Sequence, residues 1–213
     1  MSADLLFDAI NSYDYDTFRR LIKQGVNINS RNEAGETVLI RASIGFNPHL
    51  VQIILEYGAD PNIKAAFGLS ALYWASDRGY VKIIKLLLSH GADVNIQDNG
   101  NDTPLHLTSR YGHTEATKLL IDNGAYVNAK DNIGNTPLHY VALGNRSNVE
   151  TAIYLIEHGA NKNIKNNEGK TAYDIAIKKN RFDLIPVLND NVFASNSSDP
   201  LTSDYLKTFN YIL

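Results

Sequence analysis

Glycines mark time along this chain. Gly25, Gly58, Gly91 and Gly124 recur every 33 residues, and Gly159 follows 35 residues after Gly124. A second series keeps the same beat: Thr37, Ser70, Thr103 and Thr136 step by 33, and Thr171 comes 35 later. One insertion of two residues explains both breaks, near Gly144–Asn148, a stretch of turn formers. A fixed period of this length confines a chain to a stack of similar units, each leaning on its neighbours.

Each unit reads as helix, turn, helix, loop. Thr103-Pro104 and Thr136-Pro137 are helix starts, because the threonine oxygen accepts an orphan N–H and proline has none to lose at the first helical position. Gly79 and Gly112 end the first helix, and apolar residues at helical spacing (Ile83, Ile84, Leu87, Leu88; Leu119, Leu120, Ile121) make the second. Gly91 and Gly124 stop it, and Asp93-Val94-Asn95 or Tyr126-Val127-Asn128 lead into a polar turn.

These motifs closely resemble the ankyrin repeat family. The resemblance rests on Thr103-Pro104-Leu105-His106, Thr136-Pro137-Leu138-His139, Gly91-Ala92-Asp93-Val94-Asn95 and Gly58-Ala59-Asp60-Pro61-Asn62 and covers roughly residues 3–190. It implies an all-α repeat solenoid of about six helix-turn-helix units with projecting β-hairpin loops. Unit one, 3–31, reads as an N-terminal cap with Leu6, Phe7, Ile10, Phe18, Leu21 and Ile22 at its apolar positions. Units two to five span 32–64, 65–97, 98–130 and 131–165. Unit six, 166–190, reads as a C-terminal cap with charge on its outer helix at Lys178, Lys179, Arg181 and Asp183. Val38 replaces the proline in unit two, and Gly45 falls one position early. Asn101 stands where neighbouring units have Gly35, Gly68 and Gly134; either asparagine keeps the left-handed turn or Gly100 shifts its register.

Catalysis finds little support. The absence of cysteine removes disulfides, thiolate metal sites and thiol nucleophiles together. In the family, the histidine of the Thr-Pro-Leu-His motif hydrogen-bonds between neighbouring loops, which would occupy His106 and His139. His90 and His158 sit at second-helix ends, His113 follows a tight turn, and His49 reads as an exposed loop residue. Asp60, Asp93, Asp98 and Asp131 are loop positions set by the repeat, so no catalytic carboxyl pair converges on one cleft. The expectation is a non-enzyme without cofactor or metal. A net charge of −3 argues against nucleic-acid binding. The most apolar stretch, 83–88, is short and carries Lys85, so no membrane span is expected, and Met1-Ser2-Ala3-Asp4 does not resemble a standard secretory signal. A cytoplasmic monomer is the expected setting, or a host cytosol for an effector. Abundant isoleucine, asparagine and lysine point toward an AT-rich genome, as in some intracellular bacteria, large viruses or protists.

A stack exposes a continuous concave face made by first helices and hairpin tips. The residue after the motif histidine, and those three and four further on, share one face of the first helix. They are Arg41, Ile44 and Gly45 in unit two; Trp74, Asp77 and Arg78 in unit three; Leu107, Arg110 and Tyr111 in unit four; Tyr140 and Leu143 in unit five. Trp, Tyr and Arg are enriched at interface hot spots. The unit-three hairpin adds Phe67 and Leu69, where its siblings carry Ala34/Glu36 and Ile133/Asn135. These residues are read as the surface for a protein partner, although Trp74 and Tyr140 would serve equally as packing between adjacent helices.

Beyond the repeats, 191–200 is a polar linker. Leu201, Tyr205, Leu206, Phe209, Ile212 and Leu213 then fall on one helical face behind Pro200 and Ser203. A short amphipathic helix there would pack back on the last repeat, bind a partner or stay disordered. An alternative role as a ubiquitin-ligase adaptor would use this C-terminal segment: Leu184-Ile185-Pro186-Val187-Leu188 resembles the opening of an F-box-like module, but the register gives Ile185 and Leu188 to the second helix of unit six. A structural scaffold is a further alternative. Leu87–Asn95 also resembles the ankyrin site of an animal asparaginyl hydroxylase, with Asn95 the first candidate for modification and Asn128 the next.

Overall fold

The computed structural model describes residues 3–144 and 148–189. The proposed tail helix and the centre of the two-residue insertion lie outside them. The described chain is helical, and no strand occurs among the described residues. Unit one holds α1 (Ala3–Asn11) and α2 (Tyr15–Lys23), and unit two α3 (Val38–Ile44) and α4 (Pro48–Glu56). Unit three holds α5 (Ala71–Arg78) and α6 (Val81–Ser89), and unit four α7 (Pro104–Tyr111) and α8 (Thr114–Asp122). Unit five holds α9 (Pro137–Leu143) and α10 (Val149–Glu157), and unit six α11 (Ala172–Lys178) and α12 (Ile185–Leu188).

The helices form two rows. The first helices α1, α3, α5, α7, α9 and α11 pack side by side, and α4, α6, α8, α10 and α12 form an outer row. The inner row is the more closely packed, which makes its outer side the concave one. One continuous core runs between the rows. Leu72, Leu105, Ile83, Ile84, Leu87 and Leu120 are fully excluded from solvent. The cap residues Leu6, Phe7, Ile10, Phe18 and Leu21 are buried in the same core.

The loops hold the units together with polar ties. Asn62 donates to the Gly91 carbonyl at 2.9 Å and accepts the Asp93 N–H at 2.7 Å. Asn95 repeats this on Gly124 and Tyr126, at 3.1 and 2.8 Å, and Asn128 on Gly159 and Asn161, both at 2.8 Å. Each amide satisfies a carbonyl left over at a helix end. The hairpin tips join as well: the N–H groups of Asn99, Asn132 and Asn167 donate to the carbonyls of Phe67, Gly100 and Ile133.

Two departures from sequence expectation are local. Gly45 does not take the left-handed position that ends α3. Phe46 takes it, at φ 51°, in register with Gly79 and Gly112. Asn101 adopts φ 62° and donates its N–H to Asp98, as Gly134 does to Asp131, so asparagine replaces glycine without a shift of register.

Candidate protein-binding surface

The tip of unit three differs from all its siblings for a reason visible in the backbone. Asp98 in unit four uses one carboxylate oxygen to accept the N–H groups of Gly100 and Asp102, at 2.7 and 2.9 Å. Asp131 does the same for Ile133 and Asn135, and Asn32 and Asn166 use an amide oxygen. At this register unit three has Ala65, with no acceptor. The tip closes instead as a 3₁₀ turn, Ala66–Gly68, with both Phe67 (φ 59°, ψ 12°) and Gly68 (φ 79°) in left-handed conformation. This is a type I′ turn, which favours Asn or Gly at its first central position. A phenylalanine there is strained by roughly 1–3 kcal/mol. The residue is 75% exposed.

Behind the tip stand Tyr73 and Trp74 on α5, their rings edge to face with centroids 5.7 Å apart. Trp74 is half-buried and packed on the core. Leu69 is half-buried too, not free on the tip as expected. Arg78 and Arg110 are exposed; Arg78 pairs with Asp77 at 3.4 Å, and Arg110 lies 5.8 Å over the Tyr111 ring. Arg41 is exposed and pairs with Glu36 at 3.7 Å.

Two residues expected on this surface are not there. Leu107 and Tyr140 are 4% and 8% exposed. In units four and five these two side chains are buried in the seam between neighbouring first helices, whereas at the same register Arg41 of unit two is exposed and Trp74 of unit three half-buried. The Tyr140 hydroxyl faces two carboxylates, Asp102 and Asp131, the latter at 3.0 Å, and its ring meets His106 edge to face at 4.9 Å. Burial and these carboxylates push the phenol far above its ordinary range. A phenol so held is a hydrogen-bond donor, not a nucleophile. Burial pushes Asp102 up to about 6, against the opposing bond from Tyr140, with Asp98 and Asp131 raising it further. Tyr73 is pushed up to about 12 by burial and by Asp98, Asp77 and Asp102.

The two motif histidines tie neighbouring loops. Nδ1 of His106 accepts the Thr103 N–H at 3.0 Å, and Nε2 meets the Asn135 carbonyl of the next loop at 3.2 Å. His139 repeats this with Thr136 at 3.1 Å and Lys170 at 3.0 Å. Such partners assign a neutral ring with its proton on Nε2. Burial lowers both pKa values. His113 bonds the Asp77 carbonyl at 3.0 Å from inside the seam. A Cβ at Gly79 would lie 2.6 Å from that imidazole, so glycine is required there. His49 is exposed, but on α4 and edge to face with Tyr15, not in a loop. No group of three or more His, Asp or Glu residues suited to a metal occurs among the described residues. No described helix is long and apolar enough to cross a membrane.

The chain also matches the family model for ankyrin repeats, with three overlapping copies over residues 6–98, 43–131 and 105–199. The chain belongs to the ankyrin repeat family. Members are generally non-enzymatic interaction domains, and this stack is an ankyrin protein–protein interaction module. It is 35% identical over 74 residues to mitochondrial disaggregase of Bos taurus, covering 35% of this chain and 11% of that protein. It is 34% identical over 61 residues to dynein axonemal heavy chain 12 of Bos taurus, covering 29% and 17%. Over 74 residues it is 28% identical to inactive serine/threonine-protein kinase TEX14 of Bos taurus, covering 35% and 5%. The chain thus spans a small part of each of these relatives.

Arg181 is a feature that the ankyrin register concealed. Expected as a solvated charge, its side chain is only 13% exposed. It donates to the carbonyls of Gly144 and Val141 and, at 2.8 Å, to the Asn148 side chain, clamping the turn of unit five from unit six. Leu184 and Leu188, the leucines of the F-box-like resemblance, are buried in the core and are committed to the stack.

Proposed function

We propose that this ankyrin stack binds a protein partner along the concave side of units two to four, with Phe67 as its anchor. The observation that carries the reading is the unit-three tip. An aromatic side chain is held outward by a turn that costs conformational energy, and it returns little burial to the fold. Strain that folding does not use is a mark of recognition sites. Trp74, Asp77, Arg78, Arg110 and Tyr111 extend the surface behind it, and Arg41 continues it into unit two. At the same register Gly100 follows Phe67 and exposed Ile133 comes next, so two apolar tips flank a notch.

The test is capture of partners from the native cell with wild type, Phe67→Gly and the Trp74→Ala/Tyr111→Ala double variant. Glycine at 67 keeps the turn and relieves its strain. The reading expects Phe67→Gly to lose the partner, by about 2 kcal/mol or more for a hot spot, with a melting temperature equal to or above wild type. Retention of every partner by a normally folded Phe67→Gly would refute it. Hydroxylation at Asn95 or Asn128 would modify a side chain whose amide already bridges two units. Intact mass after exposure to the hydroxylase reads it directly, as one added oxygen or none.

A further inference from the structure

The C-terminal face of unit six is built to be covered. In the inner units three register positions are closed off from solvent. Leu72, Leu105 and Leu138 are at most 1% exposed, and Ser76, Ser109 and Ala142, like Ile84, Thr117 and Ala152, are fully excluded from solvent. Unit six has Tyr173, Ile177 and Ile185 at the same positions. Tyr173 and Ile185 are half-buried, and Ile177 is 42% exposed. A unit that closes a solenoid presents a polar outer face. This one presents a tyrosine and two isoleucines, with exposed Lys178 and Lys179 at the edge.

Another copy of the repeat is a poor cover. The Ile177 register is serine or alanine in units two to five, where the helices come close. An isoleucine there would hold a regular neighbour away, and interiors tolerate no such gap. The chain itself supplies a better one. It continues for 24 residues past Asn189, which lies just after α12 on this same unit. The polar stretch 190–200 reaches up to about 36 Å, enough to fold back. Beyond it, Leu201, Tyr205, Leu206, Phe209, Ile212 and Leu213 recur at helical spacing, and Asp199 and Asp204 complement the two lysines.

We infer that residues 201–213 cover the end face of unit six, centred on Ile177, and close the stack. The contact removes apolar surface from water on both sides and gives the solenoid the end that its own last repeat lacks. The recognition surface of units two to four is left free, so partner binding and tail docking are separate events.

Amide hydrogen exchange on the full chain tests this. In wild type, amides of 203–213 should exchange at least about tenfold more slowly than an unstructured chain, equally at low and high protein concentration. Ile177→Lys and Phe209→Asp should each abolish that protection and speed exchange in α11, and the double variant should add nothing. Unchanged protection in α5–α9 shows that the variants still fold. Unstructured rates in wild type would overturn the inference. Protection lost on dilution would overturn it in favour of a second copy. Protection that survives Ile177→Lys would place the segment elsewhere.

Discussion

Units three and four differ by 33 residues of register and by one decisive side chain. Asp98 gives the unit-four tip an acceptor for two backbone N–H groups, and the tip forms without an aromatic residue in the left-handed region. Ala65 gives unit three none, and the turn closes with Phe67 strained and exposed. The first helices differ in the same sense. In unit four His106 joins Thr103 to the Asn135 carbonyl of the next loop; in unit three Tyr73 occupies that register. Units four and five are tied by the buried bonds of His106, while unit three lacks a motif histidine, is joined to unit four through Asn95, Asn99 and His113 instead, and carries the outward aromatic. The comparison teaches that a repeat can assign stability and recognition to neighbouring copies of one fold.

The strongest way to break the comparison is to remove the tie. His106→Ala leaves the Thr103 N–H buried without an acceptor and takes from the Asn135 carbonyl one of its two donors, the Asp131 N–H remaining, and should destabilise the stack by roughly 2–4 kcal/mol. Tyr73→Ala should cost less, because its half-buried side chain bridges no loop. Urea unfolding of both variants checks the order; equal losses would erase the distinction.

Removing Arg181 should come next. Its guanidinium satisfies carbonyls of the unit-five turn, and hydrogen bonds from a charged group are worth about 1.5–3 kcal/mol. Arg181→Ala should lower stability by roughly that amount, with faster amide exchange in α9 and α10. Arg181→Lys should restore little, since one ammonium cannot reach all three acceptors.

The smallest effect is electrostatic and sharpens the comparison through pH. Asp102 has a folded pKa of about 6, above its ordinary value of 3.8, so its contribution to stability is present below about pH 4 and lost as pH rises through 6. His106 and His139 have lowered folded pKa values, so theirs is present above about pH 6.5 and lost as pH falls. The two trends oppose each other between about pH 4 and 6.5. Asp102→Asn should therefore be more stable than wild type at pH 7, with the advantage shrinking on acidification as the uncompensated histidines take effect. Thermal melts from pH 7 to 4.5 read this; an advantage that grows on acidification would contradict the assignment.

Much of this fold is legible in the sequence because the repeat states it several times. The helix starts and the core positions follow from register, and the loop role of the motif histidine from the family resemblance. What escapes register is what happens between units. Tyr140 and Leu107 sit on the helical face that the spacing rule assigns to a partner, yet adjacent first helices bury both, while Arg41 and Trp74 at the same register stay exposed or half-buried. Arg181 looks like surface charge until the unit-five turn presents its carbonyls. The special tip of unit three was readable from Ala65 standing where its siblings have Asn or Asp, but a missing acceptor attracts less notice than an added aromatic.

The account rests on unit three bearing the strain while its neighbours hold the stack. Native-state amide exchange on the full chain measures this most directly. The slowest amides should lie in α7 and α9, flanked by the histidine ties, and those of the 65–69 tip and α5 should open at lower free energy, with the tip slowing selectively when partner is added. Amides of α5 and the tip as slow as those of α7 and α9, and unchanged by partner, would contradict it.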